Sequence, residues 1–264
     1  VRLRSRTVVV TGAASGMGRA FCIEAGRAGA RVGMIDSNGP GLELLEAELR
    51  GAGVTCFAVV GDVGNRDRVR AAFDAIETAL GPVEVLLTAA GICEIMNFDD
   101  LQVAKLEDML RVNFLGVVFA IDAVLPGMLA RGCGQIIGLV SLTAICPLPF
   151  ENAYSASKAA VGAYLQSLRP PLRRRGIHVV SVFPGFVRTP LLFGLLERTG
   201  SKMPLGSVSA EEVARRIVVG ISGGRRVVGF PRRTVWPVYL TRLLPAAIVD
   251  WLLTRVTAGQ GLPH

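Results

Sequence analysis

With 264 residues, 51% of them hydrophobic, the chain has ample material for the core of one large α/β domain. Its formal charge of +8 raises nucleic acid as a partner, but residues 225 to 264 hold six arginines against one acid, so +5 sits in the tail and no nucleic-acid-binding face is expected. Five scattered cysteines without a CxxC pair read as reduced cytosolic thiols, and two histidines, His178 and His264, leave no metal-ligand set.

Strand-like runs alternate with helical patterns from residue 7 to about 229, without a linker or a short internal repeat, which predicts stacked βαβ units. The opening strand leaves no room for a signal peptide, so a cytoplasmic location is expected. Thr7 to Thr11 is a short β-branched run suited to a buried parallel strand. It leads into Gly12-Ala-Ala-Ser15-Gly16-Met17-Gly18 and a helical pattern to about Gly29. Glycines here let the backbone turn tightly and approach a pyrophosphate seated on the helix N-terminus. The next strand, Arg31 to Asp36, ends in an acid 18 residues after Gly18. A carboxylate there accepts hydrogen bonds from the adenosine ribose hydroxyls and repels a 2′-phosphate; Ser15 and Ser37 offer that phosphate no cation, so NAD is expected over NADP. A simple loop cap is the alternative for Asp36.

A helix from about 40 to 52 leads to a strand at 54 to 60 and then to Asp62-Val63, again an acid at a strand's C-terminal end. Asp62 would meet the adenine edge, or else cap a helix starting near Asn65. The strand Val83 to Thr88 closes in Ala89-Ala90-Gly91, small enough for a cofactor to lie against backbone. Helical patterns from about 99 to 131 enclose Asn113 in an apolar stretch, where a polar side chain needs partners; on pattern alone it reads as a satisfied core asparagine.

Gln135 to Val140 makes a fifth strand, ended by Ser141 13 residues before Tyr154. Tyr154 and Lys158, four apart, share a helix face. A cation about 4 Å from the phenolate is worth roughly 4 kcal/mol at an effective dielectric near 20, about three pKa units before desolvation takes some back. That would bring the phenol into range for proton transfer near neutral pH, although such a pair alone more often marks a solvated helix face. Ile177 to Phe183, the sixth strand, ends in Pro184-Gly185, and the apolar, glycine-punctuated segment 186 to 207 reads as a lid. Leu142, Cys146, Leu148, Phe150 and Phe186, with Leu191 and Leu192 from the lid, form the expected pocket wall. Such a wall favours a bulky lipophilic alcohol or ketone over a sugar, unless several of these side chains pack inward.

Together these residues resemble the short-chain dehydrogenase/reductase family. The likeness covers residues 7 to about 229 and rests on Thr11-Gly12-x-x-x-Gly16-x-Gly18, Asp62-Val63, Asn113, Ser141 with Tyr154-x-x-x-Lys158, and Pro184-Gly185 with Thr189. It implies a single-domain Rossmann-like α/β fold over residues 1–233, a doubly wound parallel sheet of about seven strands ordered 3-2-1-4-5-6-7. It also implies an NAD-dependent oxidoreductase acting on a secondary alcohol or ketone, steroid-, retinoid- or acyl-like, and assembled as a dimer or tetramer. In that reading Tyr154 is the general acid/base, Lys158 lowers its pKa and holds the nicotinamide ribose, and Ser141 orients the substrate oxygen. Asn113 holds a relay water, Thr189 meets the nicotinamide carboxamide, and Pro184, Gly185 and Val187 complete the cofactor contacts. An NADPH-dependent 3-oxoacyl-carrier-protein reductase is the alternative, disfavoured by Asp36; a non-enzymatic dinucleotide sensor is disfavoured by the unbroken Tyr154/Lys158 pair.

Two departures accompany the likeness. Ala89 stands where the family commonly has asparagine, which predicts a local loss of stability without loss of catalysis. The tail, 234 to 264, carries Trp236, Tyr239, Leu243, Leu244, Trp251 and Leu252 amid arginines and is too interrupted for a confident membrane span. An interfacial helix at a membrane surface, a subunit contact and a flap over the pocket stay open for it.

Overall fold

The β-branched run Thr7–Thr11 (β1) is buried along its whole length, as a strand with neighbours on both edges and helices on both faces must be. The computed structural model describes residues 3–96 and 101–258. After β1 come α1 (Gly16–Arg27), β2 (Arg31–Asp36), α2 (Gly39–Gly51), β3 (Cys56–Val60), α3 (Arg66–Leu80) and β4 (Val85–Thr88). The second half holds α4 (Val103–Leu110), a π-turn (Arg111–Leu115), α5 (Gly116–Arg131), β5 (Gly134–Leu139), α6 (Asn152–Arg173) and β6 (Ile177–Pro184). Then follow β7 (Val187–Arg188), α7 (Pro190–Thr199), β8 (Val208–Ser209), α8 (Ala210–Ser222), β9 (Val227–Phe230), α9 (Arg232–Leu240) and α10 (Ala246–Ala258).

Seven strands form one parallel sheet in the order β3-β2-β1-β4-β5-β6-β9, the doubly wound topology expected. The seventh sheet strand is the ninth along the chain because β7 and β8 pair separately, inside and just after the expected lid. Two apolar layers flank the sheet. One gathers Phe21, Leu45 and Ile217 from α1, α2 and α8; the other gathers Phe73, Ile121 and Leu165 from α3, α5 and α6. The stretch Val103–Arg131 is long and apolar enough to cross a membrane, with mean hydropathy 1.9, yet Val117, Ala120, Ile121, Val124 and Met128 lie in the second layer.

The chain leaves β3 at one edge and re-enters as β4 on the other side of β1. That reversal opens a crevice at the strands' C-terminal ends, where ligands bind in such sheets. Two glycines shape it. Gly12 turns with φ +71°, and a Cβ there would strike the Ala90 backbone; a Cβ on Gly18 would strike the Gly12 carbonyl oxygen. The helix therefore begins directly against β1.

The boundary expected at residue 233 falls inside α9. That helix packs on the sheet: Val235 is buried, and the Tyr239 ring meets Phe183 edge-on at 6.2 Å. The start of the tail thus belongs to the body of the domain.

Candidate active site

Two cavities meet at the crevice. The first, about 240 Å³, is lined by Gly12, Ser15, Gly16, Met17, Gly18, Asp36, Ser37, Asp62, Val63, Ala89, Ala90 and Gly91, every residue expected to hold the nucleotide end of a cofactor. Gly61, Ile92, Val112 and Pro190 also line it and were not anticipated. At its floor the N-cap Ser15 makes no side-chain capping bond, and the first backbone donation inside α1 is from Arg19 to the Ser15 carbonyl. The N–H groups of the first turn therefore point into the cavity, with the positive end of the helix behind them. A dinucleotide pyrophosphate fits that donor set.

Asp36 does cap the loop after β2, as the alternative reading had it: its Oδ1 accepts the Asn38 N–H and its Oδ2 the Ala14 N–H, both at 2.9 Å, which ties the end of β2 to the glycine turn. Each oxygen keeps a lone pair for a ribose hydroxyl. None of the described residues lining this cavity is lysine or arginine. Asp62 accepts the Gly64 N–H at 2.8 Å, while Asn65 caps α3 by accepting the Arg68 N–H, so the capping alternative for Asp62 does not hold.

The second cavity, about 430 Å³, shares Met17, Ala89, Gly91, Thr189 and Leu191 with the first, so the two adjoin. Ser141, Tyr154, Lys158, Pro184, Gly185 and Val187 line it. The expected wall residues Leu142, Cys146, Leu148, Phe186, Leu191 and Leu192 line it too. Phe150 does not: it is buried off the cavity, its backbone is left-handed at φ +67°, and its carbonyl accepts the Met96 N–H at 3.0 Å. Thr189 caps α7 through its hydroxyl and also donates to the Val187 carbonyl.

Asn113, fully buried in the π-turn, lines neither cavity. Its Oδ1 accepts the Ile92 N–H at 2.8 Å, and its Nδ2 donates to the Ile92 carbonyl and to Ser157 Oγ. The amide clasps the loop after β4 onto α6, as a satisfied core asparagine should. Both N–H donors are engaged, which leaves one acceptor lone pair for a water. At Ala89 the backbone N–H still donates to the Thr11 carbonyl at 3.0 Å, so β1 and β4 stay joined there without an asparagine side chain.

The Tyr154 phenol is pushed above its ordinary value by burial, with Cys93 and Glu151 adding to the rise and hydrogen bonding by Ser141 opposing it. This reverses the direction expected from Lys158. Burial holds the lysine itself down at about 8, and its Nζ donates to the Leu139 carbonyl at 3.1 Å, 5.8 Å from the Tyr154 ring centroid. Ser141 Oγ accepts from both the N–H and the hydroxyl of Thr143, which leaves its own hydrogen for another acceptor.

The far wall comes from the tail. Val238 on α9, Thr241, and Val249, Leu252 and Leu253 on α10 all line the second cavity, so the segment covers it, as a flap would. Its outer side keeps Trp236, Leu243 and Trp251 more than half exposed, with the Arg255 guanidinium over the Trp251 ring at 4.2 Å.

A family model described as short chain dehydrogenase matches residues 6–198. This chain belongs to the short-chain dehydrogenase family. Like its relatives, this short-chain dehydrogenase is an oxidoreductase of the nicotinamide-dinucleotide-dependent kind. An uncharacterized oxidoreductase of Myxococcus xanthus is 31% identical over 251 residues, spanning 95% of this chain and 97% of the relative. Oxidoreductase UcpA of Escherichia coli is 33% identical, spanning 77% of each. Among solved structures, gox2181 superposes with a TM-score of 0.79 at 27% identity, covering 86% of this chain and 96% of that one. A short-chain dehydrogenase/reductase from Burkholderia phymatum in complex with NAD superposes at 0.82 and 24% identity, over 91% and 94%, and shares the fold.

Proposed function

We propose that this dehydrogenase interconverts a lipophilic secondary alcohol and its ketone with NAD(H), Tyr154 serving as the proton donor and acceptor. One observation carries the reading: the two cavities share a wall, and Tyr154, Ser141 and Lys158 stand just beyond it. A dinucleotide lying along the first cavity has its reactive end at the second. When bound, it supplies the hydride acceptor or donor.

The chain's own groups do the rest. Ser141, its lone pairs turned to Thr143, gives its hydrogen to the substrate oxygen. Tyr154, held protonated by its surroundings, gives a proton to that oxygen as a ketone is reduced and takes it back in the reverse direction. Lys158 uses one N–H on Leu139 and keeps two for the nicotinamide ribose. Asn113 positions the Ile92 peptide and offers one lone pair to a relay water. Asp36 accepts from the adenosine ribose and, with no cation beside it, disfavours a 2′-phosphate. The aliphatic lining of the second cavity supports a lipophilic substrate.

We read the protein as a cytoplasmic homo-oligomer, dimer or tetramer. The exposed tryptophans and arginines of the tail support a second contact, with an anionic membrane surface. Comparing vesicle co-sedimentation and assembly mass for the full chain and a chain ending at residue 231 separates the two.

The reaction is tested by following nicotinamide absorbance with NAD(H) and NADP(H) across steroid, retinoid and long-chain secondary alcohols and their ketones. Turnover of a lipophilic pair, faster with NAD(H) and lost in Tyr154→Phe, is the expected result. Turnover confined to sugars, or none with either dinucleotide, overturns it.

A further inference from the structure

Glu151 has no part in the chemistry above. It stands at the N-cap of α6, three residues before Tyr154, yet its side chain makes no capping bond. It lines the second cavity, otherwise aliphatic over most of its surface, and its charge is felt by both Cys93 and Tyr154. Among the described residues its carboxyl has no hydrogen-bond or ion-pair partner. The neighbouring cations are committed elsewhere: Arg198 pairs with Glu94 at 2.8 Å and reaches the Cys93 carbonyl, and Lys158 is held by Leu139.

An unpartnered carboxyl in an apolar wall is costly, and burial alone lifts this one to about 7. A structural role would show as a cap, a network or an ion pair, and none is present among the described residues. The partner of the group must come from inside the cavity, as water or as a ligand that displaces it. The Cys93 thiol, raised to about 12 by burial, stays neutral and brings no compensating charge.

We infer that Glu151 is a recognition subsite of the substrate cavity, taking a hydrogen-bond donor on the ligand, ammonium or hydroxyl, at a point separate from the oxygen held by Tyr154 and Ser141. This rests on the reading of that cavity as the substrate site. The ligand class is then a lipophilic body with a second polar group that donates. A free carboxylate is repelled, which removes fatty acids and their keto-acid relatives from the candidates.

The test uses rigid lipophilic probes that differ in one polar group: 1-adamantanamine, 1-adamantanol and adamantane-1-carboxylate. Each is titrated calorimetrically into the NAD-loaded full chain as wild type, Glu151→Gln, Glu151→Leu and Tyr154→Phe. The wild type is expected to bind the amine at least about ten-fold tighter than the carboxylate, with the alcohol between. Glu151→Gln should close the gap between amine and carboxylate while keeping the alcohol, and Glu151→Leu should weaken amine and alcohol alike. Because Gln preserves the shape, it decides the matter if the Leu variant fails to fold. Equal binding of amine and carboxylate by the wild type overturns the subsite. So does a preference that survives both Glu151 substitutions, or one that vanishes only in Tyr154→Phe. Absence of turnover on every alcohol, with the binding order intact, counts against the oxidoreductase reading and leaves the subsite standing.

Discussion

Lys158 is pinned to the end of β5 by its hydrogen bond to the Leu139 carbonyl, so the cation is fixed by the sheet as well as by its own helix. Lys158→Met removes the charge and strands a buried carbonyl. The expected outcome is a loss of turnover of about 100-fold or more with weaker dinucleotide binding, read by steady-state kinetics and by fluorescence titration. Unchanged cofactor affinity would remove the ribose contact from the scheme.

Tyr154→Phe deletes only the phenolic oxygen. Turnover should fall to at most about one per cent of wild type while NAD affinity holds within about two-fold. Retained activity would show that another group moves the proton.

Lys158 and Glu151 should bend the stability curve in opposite directions. Glu151 rises from 4.5 to about 7 on folding, so its contribution is full below pH 4.5 and is lost as pH climbs toward 7. Lys158 falls from 10.5 to about 8, so its contribution is full above pH 10.5 and is lost as pH drops through 8. Glu151→Gln should therefore match wild type near pH 4 and gain about 1–3 kcal/mol above pH 7, after allowance for its exposure to the cavity. Lys158→Met should flatten the rise between pH 8 and 10.5, worth up to about 3 kcal/mol. Denaturant melts across pH read both.

Asp36 fastens the glycine turn and also lines the first cavity. Asp36→Ala should narrow the NAD over NADP preference by about ten-fold and also lower stability by about 1–3 kcal/mol, because two backbone donors lose their acceptor. A preference that shifts with no change in melting temperature would contradict the tie to Ala14 and Asn38.

Much of the fold and the nucleotide cradle could be read directly from the sequence, because both are written in short-range patterns. β-branched runs, the Gly12-to-Gly18 turn and the acids Asp36 and Asp62 at the ends of two strands fix local geometry within a few residues, while the sheet order came with the family resemblance. The shared helix face of Tyr154 and Lys158 could be read from their spacing, but the roles expected of them and of Ser141 came with the family resemblance. Phe150 was not, because a left-handed residue in an irregular loop aims its side chain where no periodicity predicts. The direction of the Tyr154 shift was also hidden: helix spacing reveals Lys158, but not the burial around the phenol or the proximity of Cys93, 61 residues earlier. Glu151 carried no signal beyond being an acid at a helix start, where capping is the ordinary reading. The tail's place on the cavity wall depends on contacts across roughly a hundred residues, which no local motif encodes.

The flap formed by α9 and α10 lies wholly beyond residue 198, where the family match ends, yet Val238, Val249, Leu252 and Leu253 face the same cavity as Tyr154. The wall of that cavity is thus divided between two stretches of one polypeptide, with Leu142, Cys146, Leu148 and Glu151 inside the family match and the α9–α10 residues beyond it. Exchanging α9 and α10 would replace that part of the wall and leave Tyr154, Ser141 and Lys158 where they are. Likewise, grafting this segment onto a related body should carry the α9–α10 part of the wall along and leave the Glu151 side behind.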